Sequence, residues 1–157
     1  MTILGIDPGY ARAGWGIIHQ EKNILHPLAF GCIETKVKTA HAERLKNLQD
    51  ELKKIIKCYQ PDALAVEELF FFKNLKTAVQ VAEARGVILA TAMGCRLPIY
   101  EFTPLEIKQA ITSYGRADKN QIQQMVKLIL GMKTIVQSDD AADGLAVAIT
   151  CAHTLKH

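Results

Sequence analysis

Ile3-Leu4-Gly5-Ile6-Asp7-Pro8-Gly9 is a short apolar run with β-branched residues, stopped at once by Pro8 and Gly9. That pattern reads as a buried strand ending in a turn, with Asp7 at the strand end. A lone carboxylate there is costly to bury and hard to keep ionised, so it calls for solvent, a cluster of donors or a cation. Three acid positions downstream lie where they could join it.

Beyond this turn, Ala13 to His19 and Ile24 to Glu34 read as two further strands joined by the polar turn Gln20-Glu21-Lys22-Asn23. The three form an antiparallel meander. From His41 to Tyr59 the apolar Leu45, Leu48, Leu52, Ile55 and Ile56 recur at helical spacing, and Pro61 follows. Ala63 to Glu67 reads as a short strand, Thr77 to Met93 as a helix and Leu97 to Phe102 as a fifth strand. Helical patterns follow at Pro104 to Thr112, Lys119 to Leu130 and Ala141 to Leu155. A meander followed by alternating strands and helices predicts an α/β fold, a mixed sheet flanked by helices.

The chain has 157 residues, 49% of them hydrophobic, which suits one domain with one sizeable core. No stretch has the roughly 18 apolar residues of a membrane span, and Met1-Thr2-Ile3-Leu4 carries no basic segment of a secretion signal. A cytoplasmic protein is expected. Cys32, Cys58, Cys95 and Cys151 lie 26, 37 and 56 residues apart, without the short paired spacing of zinc or redox motifs, and read as reduced thiols. A net charge of +3 permits nucleic-acid binding without arguing for it.

Glu67 ends its strand as Asp7 does, so the two acids meet if those strands are neighbours. Asp140 and Asp143, three apart at the start of the last helix, project from one face of its first turn, and Ser138 or Asp139 can cap it. The helix N-terminus favours negative charge by about 0.3 to 1 kcal/mol, too little to hold four mutually repelling carboxylates together. A divalent cation can do so. Oxygen ligands suit Mg²⁺ or Mn²⁺ rather than zinc, and no His or Cys is expected within the constellation. Two such ions about 4 Å apart provide phosphodiester hydrolysis, one generating hydroxide and the other stabilising the leaving 3′ oxygen. Singly, each acid is better read as a surface or capping residue. Three separate segments each ending in an acid at an element boundary make that reading weaker for the set.

Gly5-Ile6-Asp7-Pro8-Gly9, Ala65-Val66-Glu67-Glu68-Leu69-Phe70, Ala84-Arg85-Gly86-Val87 and Asp140-Ala141-Ala142-Asp143-Gly144-Leu145-Ala146-Val147-Ala148 together resemble the RuvC family of Holliday junction resolvases. The likeness covers nearly the whole chain. It implies a single RNase H-like nuclease domain over residues 1–157, with a mixed five-stranded sheet flanked by helices. It also implies a homodimer that binds four-way DNA junctions and nicks two strands of like polarity symmetrically, leaving 5′-phosphates. Asp7, Glu67, Asp140 and Asp143 fall on the family's catalytic, metal-binding acids, with Asp7 shared by two Mg²⁺ (or Mn²⁺) ions. Asp140 rather than Asp139 is chosen because it stands three residues before Asp143, which leaves Asp139 as a cap or outer residue.

The resemblance further places Phe70 on an aromatic that stacks against or wedges between bases at the junction, while Phe71 and Phe72 read as core. It places Lys108 and Lys119, eleven apart, near the cleaved strand, where a lysine orients the phosphate or stabilises developing charge. Lys73, Lys76 and Arg116 are candidate contacts to the DNA backbone. The family connection implies partnership with the RuvA and RuvB branch-migration proteins. The rival from another class is a junction-binding protein without catalysis, against which the intact acid set argues. Asp7-Pro8-Gly9 followed by Gly14 and Gly16 also resembles a phosphate-binding hairpin of actin-like phosphotransferases, but the chain is too short for two lobes.

Overall fold

A computed structural model of the chain describes residues 1–36, 38–69 and 75–155. The elements run β1 (Thr2–Asp7), β2 (Arg12–Glu21), β3 (Ile24–Glu34), α1 (His41–Tyr59), β4 (Ala63–Glu67), α2 (Leu75–Gly94), β5 (Ile99–Phe102), α3 (Pro104–Thr112), α4 (Lys119–Ile129) and α5 (Asp139–Thr154). The five strands form one sheet in the order β3-β2-β1-β4-β5. β1, β2 and β3 are the antiparallel meander, whereas β4 and β5 continue the sheet parallel to β1. That mixture follows from the connections: a two-residue turn with Lys22 at φ 54° returns β3 beside β2, while helices carry the chain across to β4 and β5.

Each face of the sheet buries its own set of side chains. One face packs Leu4, Ile6, Ile17, Leu64 and Val66 against the apolar stripes of α1 and α2. The other packs Ile3, Ile18 and Ala65 against α3, α4 and α5. Alternation along β1 sends Ile3 one way and Leu4 the other, as a strand with both faces covered requires. α5 is buried along nearly its whole length, so it reads as apolar all round rather than amphipathic.

Several boundaries differ from the sequence reading by one or two residues, β2 running Arg12–Glu21 and α2 Leu75–Gly94 among them, and two of the differences have a visible cause. β5 begins at Ile99 and not Leu97, because Leu97 still donates its N–H to Ala92 O at 3.1 Å, closing α2 through Arg96 at φ 60°. α5 begins at Asp139, two residues early, because Ser138 is the cap and its Oγ accepts from Ala141 N at 3.4 Å.

Candidate active site

The parallel register Ile6↔Val66 sets the last residues of β1 and β4, Asp7 and Glu67, side by side at the C-terminal end of these two inner strands. Both strand ends are held from the α1 and α2 side. Arg44 of α1, buried, donates from Nε to Thr35 Oγ1 at 2.9 Å and from Nη2 to the Tyr10 carbonyl at 3.4 Å. Its guanidinium also lies 3.8 Å from the Tyr10 ring centre, so the turn after Asp7 is pinned by hydrogen bonds and a cation–π contact. Arg85 of α2 donates from Nε to the Glu67 carbonyl at 3.3 Å and pairs through Nη2 with Glu101 on β5. Neither arginine was singled out in the sequence for such a role.

Asp140 and Asp143 reach these strand ends because α5 lies against the sheet backbone to backbone. A Cβ on Gly14, the β2 partner of Asp7, would stand 1.8 Å from the Asp140 carbonyl. One on Gly144 would stand 2.6 Å from the Trp15 backbone. Any larger residue at either position holds the helix off. Glycine here is a requirement of close approach, not of turn geometry.

The acids act on one another. Burial pushes the Asp7 carboxyl well above the usual carboxylate range, with the charges of Glu67 and Asp140 adding to it. Glu67 is also raised, first by burial and then by Asp143, while its hydrogen bond from Asp7 opposes the rise. The contact between the two carboxyls thus raises Asp7 and lowers Glu67. Asp143 is pushed up to about 7, by burial first and then by the Asp7 charge. Lys119 lowers both Asp7 and Asp143, and Lys108 lowers Glu67, so the two lysines face the acids across the site.

Between them lies a cleft of about 380 Å³ lined by Glu67, Asp143, Lys108 and Lys119, with Asp118 and the apolar Ile107 among its walls. Neither Asp7 nor Asp140 is among the residues that line it. Asp140 Oδ2 is held by Arg12 Nε at 2.8 Å, and Arg12 Nη2 also reaches Glu34 Oε1 at 3.2 Å. Cys32, expected to lie outside the constellation, donates Sγ–H to the same Asp140 oxygen at 3.9 Å. Burial raises its pKa, so it stays a thiol and offers no soft thiolate to a metal. The Arg12 and Cys32 contacts come from strand pairing, Gly14↔Cys32 and Arg12↔Glu34, which no local pattern in the sequence announces.

The neighbouring Asp139 is not the helix cap. Its Oδ1 accepts from Gln123 Nε2 at 2.7 Å and its Oδ2 lies 3.6 Å from Lys119 Nζ, bracing α4 against α5 beside the cleft. Arg116 is exposed on the loop between α3 and α4 and does not line the cleft. Phe70, Phe71, Phe72 and Lys73 lie outside the described residues, and of Lys76 only the backbone, in the first turn of α2, is described.

A model of one protein family, crossover junction endodeoxyribonuclease RuvC, matches residues 3–151. A crossover junction endodeoxyribonuclease RuvC from Desulfitobacterium hafniense (strain DSM 10664 / DCB-2) is 52% identical over 155 residues, 99% of this chain and 94% of its own length. The chain belongs to the RuvC family. The structure of Thermus thermophilus RuvC in complex with a Holliday junction substrate superposes with a TM-score of 0.92 at 30% identity, covering 99% of this chain and 95% of that one. The yeast mitochondrial Holliday junction resolvase Ydc2 shares the fold alone, with a TM-score of 0.64 at 15% identity over 94% of this chain and 77% of its own. The fold is thus the RNase H-like α/β fold of the RuvC resolvases.

A RuvC-type site is expected to hold divalent cations, and the donor chemistry fits. The convergent groups are carboxylates, and the raised pKa of Asp7 and Glu67 marks a cost of holding both charges that a cation would relieve. Among the described residues the acids converge without closing, for no three of them form a ready ligand cluster. Asp140 is engaged with Arg12.

Proposed function

We infer that this RuvC family member resolves four-way DNA junctions by paired symmetric nicks, acting as one nuclease domain in which Asp7, Glu67, Asp140 and Asp143 hold two Mg²⁺ ions. The observation that carries this reading is the meeting of Asp7, Glu67 and Asp143 around a cleft faced by Lys108 and Lys119, in a chain of RuvC sequence along nearly its whole length. The ions, when bound, supply a hydroxide nucleophile at neutral pH and charge stabilisation for the leaving 3′ oxygen. The protein does the rest. Lys119 and Lys108 bring positive charge to the scissile phosphate, which orients it and favours the extra negative charge of the transition state. Ile107, Ala117 and Ile122 give that cleft an apolar wall, which strengthens these interactions by keeping bulk water back.

Phe70 is the candidate for opening base stacking at the junction, and Lys73, Lys76 and Arg116 for backbone contacts. A symmetric pair of nicks requires two sites, hence a homodimer. Action in the cytoplasm alongside RuvA and RuvB follows from the same family reading. No helix among the described residues is long and apolar enough to cross a membrane.

The test is cleavage of an end-labelled mobile junction and of linear duplex of the same sequence, with Mg²⁺, with EDTA and with Asp7→Asn. Paired nicks in the junction alone, lost in EDTA and reduced at least about a hundredfold by Asp7→Asn, are expected. Junction binding without metal-dependent nicks would make the chain a binder instead.

A further inference from the structure

Beside the cleft that holds the acids is a second hollow of about 310 Å³. The buried Ala117 is a wall of both, and successive residues of α4 serve them in turn, Lys119 lining the first and Asn120 the second. The rim of the second hollow is Tyr114, an aromatic left 58% exposed. Asn120 and Gln124, four apart and both exposed, present their amides along one face of α4. Its floor is apolar, made by Ala117 and by Met125, which packs on the core.

This loop is fixed at both ends. Ser113 closes α3 at φ 58° with its N–H donated to Gln109 O, and Thr112 Oγ1 accepts from Tyr114 N at 3.2 Å. At the other end Asp118 and Gln121 form a reciprocal capping box. Among the described residues, the Tyr114 hydroxyl and the Asn120 and Gln124 amides have no hydrogen-bond partner, although every one of them faces this hollow's lining. No charged side chain among the described residues lines it, so it suits neither a phosphate nor a metal. A flat aromatic group edged with donors and acceptors fits it: a ring to stack on Tyr114 and an edge for the amides to bond.

Resting on the junction-nuclease reading above, we propose that this hollow receives one base of the strand being cut, and that Tyr114, Asn120 and Gln124 set the sequence preference of cleavage. A strand whose phosphate lies between Lys108 and Lys119 needs only to cross Ala117 to bring a nearby base over Tyr114. Stacking holds any base there, and the amides discriminate among edges. The pocket is preformed, so the choice of base acts where the phosphate is positioned for attack.

The experiment uses the full-length protein and junctions in which each base within three nucleotides of the cut is varied in turn. Rates for the best and worst bases should differ by about five- to a hundredfold in the wild type, and the ratio should collapse towards one in Asn120→Ala/Gln124→Ala. Tyr114→Ala should flatten it as well, and Tyr114→Phe should restore it. In EDTA, junctions with 2-aminopurine at the preferred position should change fluorescence on binding the wild type and not on binding Tyr114→Ala. An unchanged sequence spectrum in Tyr114→Ala and the double variant would overturn the proposal. So would a uniform slowing on all sequences, which marks a loop that positions DNA without reading it. If the wild type binds junctions and cuts none, the nuclease reading fails, while the metal-free fluorescence still decides whether a base enters the hollow.

Discussion

Asp139 and Asp140 are adjacent in the same helix turn and yet held by different partners. Asp139 is tied to Gln123 and Lys119 on α4, whereas Asp140 faces Arg12 and Cys32 on the sheet, next to Asp7. Asn at position 139 keeps an oxygen for Gln123 and loses only an exposed ion pair, worth about 0 to 1 kcal/mol. Cleavage by Asp139→Asn should therefore stay within about fivefold of wild type, and Asp140→Asn should abolish it; the reverse pattern in parallel assays would move the metal ligand to Asp139. Asp143 makes a second prediction, from its pKa. With its carboxyl raised from 3.8 to about 7, the folded metal-free protein holds a proton that the unfolded chain has already lost between about pH 4 and 7. Stability from this group thus falls as pH rises through that window, and the full cost is present above it. A divalent cation relieves the cost and competes with the proton, so the rise in Tm on adding Mg²⁺ should grow from pH 5 to pH 7.5. Thermal melts with and without Mg²⁺ across that range check this, and a pH-independent rise would separate Asp143 from the metal.

At the scale of the elements, the site depends on how closely α5 approaches β1 and β2. Gly144 sits where a methyl would meet the Trp15 backbone at 2.6 Å, and backbone cannot turn aside as a flexible side chain can. Gly144→Ala should destabilise the fold by about 1 to 3 kcal/mol or more and lift Asp143 and Asp140 away from Asp7. Melting together with Mg²⁺ calorimetry would show both effects, and wild-type values in each would refute the backbone-contact account. The same contact shows what a sequence can disclose. The strands, helices and strand-end positions of Asp7 and Glu67 were legible because hydrophobic period and turn residues are local signals. The glycines at 14 and 144 were visible as letters, but their reason lies in contacts with Asp140 and Trp15, each far away along the chain. Arg12, Cys32, Arg44 and Arg85 were missed on the same ground: each takes its role from a partner on another element. Family resemblance, not spacing, supplied the lysines, and the structure then set them opposite the acids.

For the molecule as a whole, one face of α2 stands exposed among the described residues. Val79, Glu83, Gly86, Ala90 and Met93 are exposed at spacings of four and three, the seam that two helices share when they pack together, with Glu83 tied at one side to His41 Nε2 at 2.7 Å. Val79 and Met93 are 66% and 64% exposed, large apolar groups that a monomer would leave in water at either end of the seam. Small residues between them let a second helix come close, and a two-fold axis across α2 would pair two sites as symmetric nicking demands. Gly86 separates this from a role in folding. A Cβ there meets nothing within 4 Å, so Gly86→Glu has room in the protomer, and replacing a mid-helix glycine should favour the helix by roughly 0.5 to 1 kcal/mol. Across the two-fold, however, it sets two like charges and two long side chains into the tightest part of the seam. Sedimentation should therefore show a dimer for the wild type and a monomer for Gly86→Glu at the same concentration, with the variant melting no lower than a wild-type protomer. The monomer should lose paired nicking before it loses metal binding, because Asp7, Glu67, Asp140 and Asp143 all come from one chain. A Gly86→Glu protein that still sediments as a dimer would place the interface elsewhere on the surface.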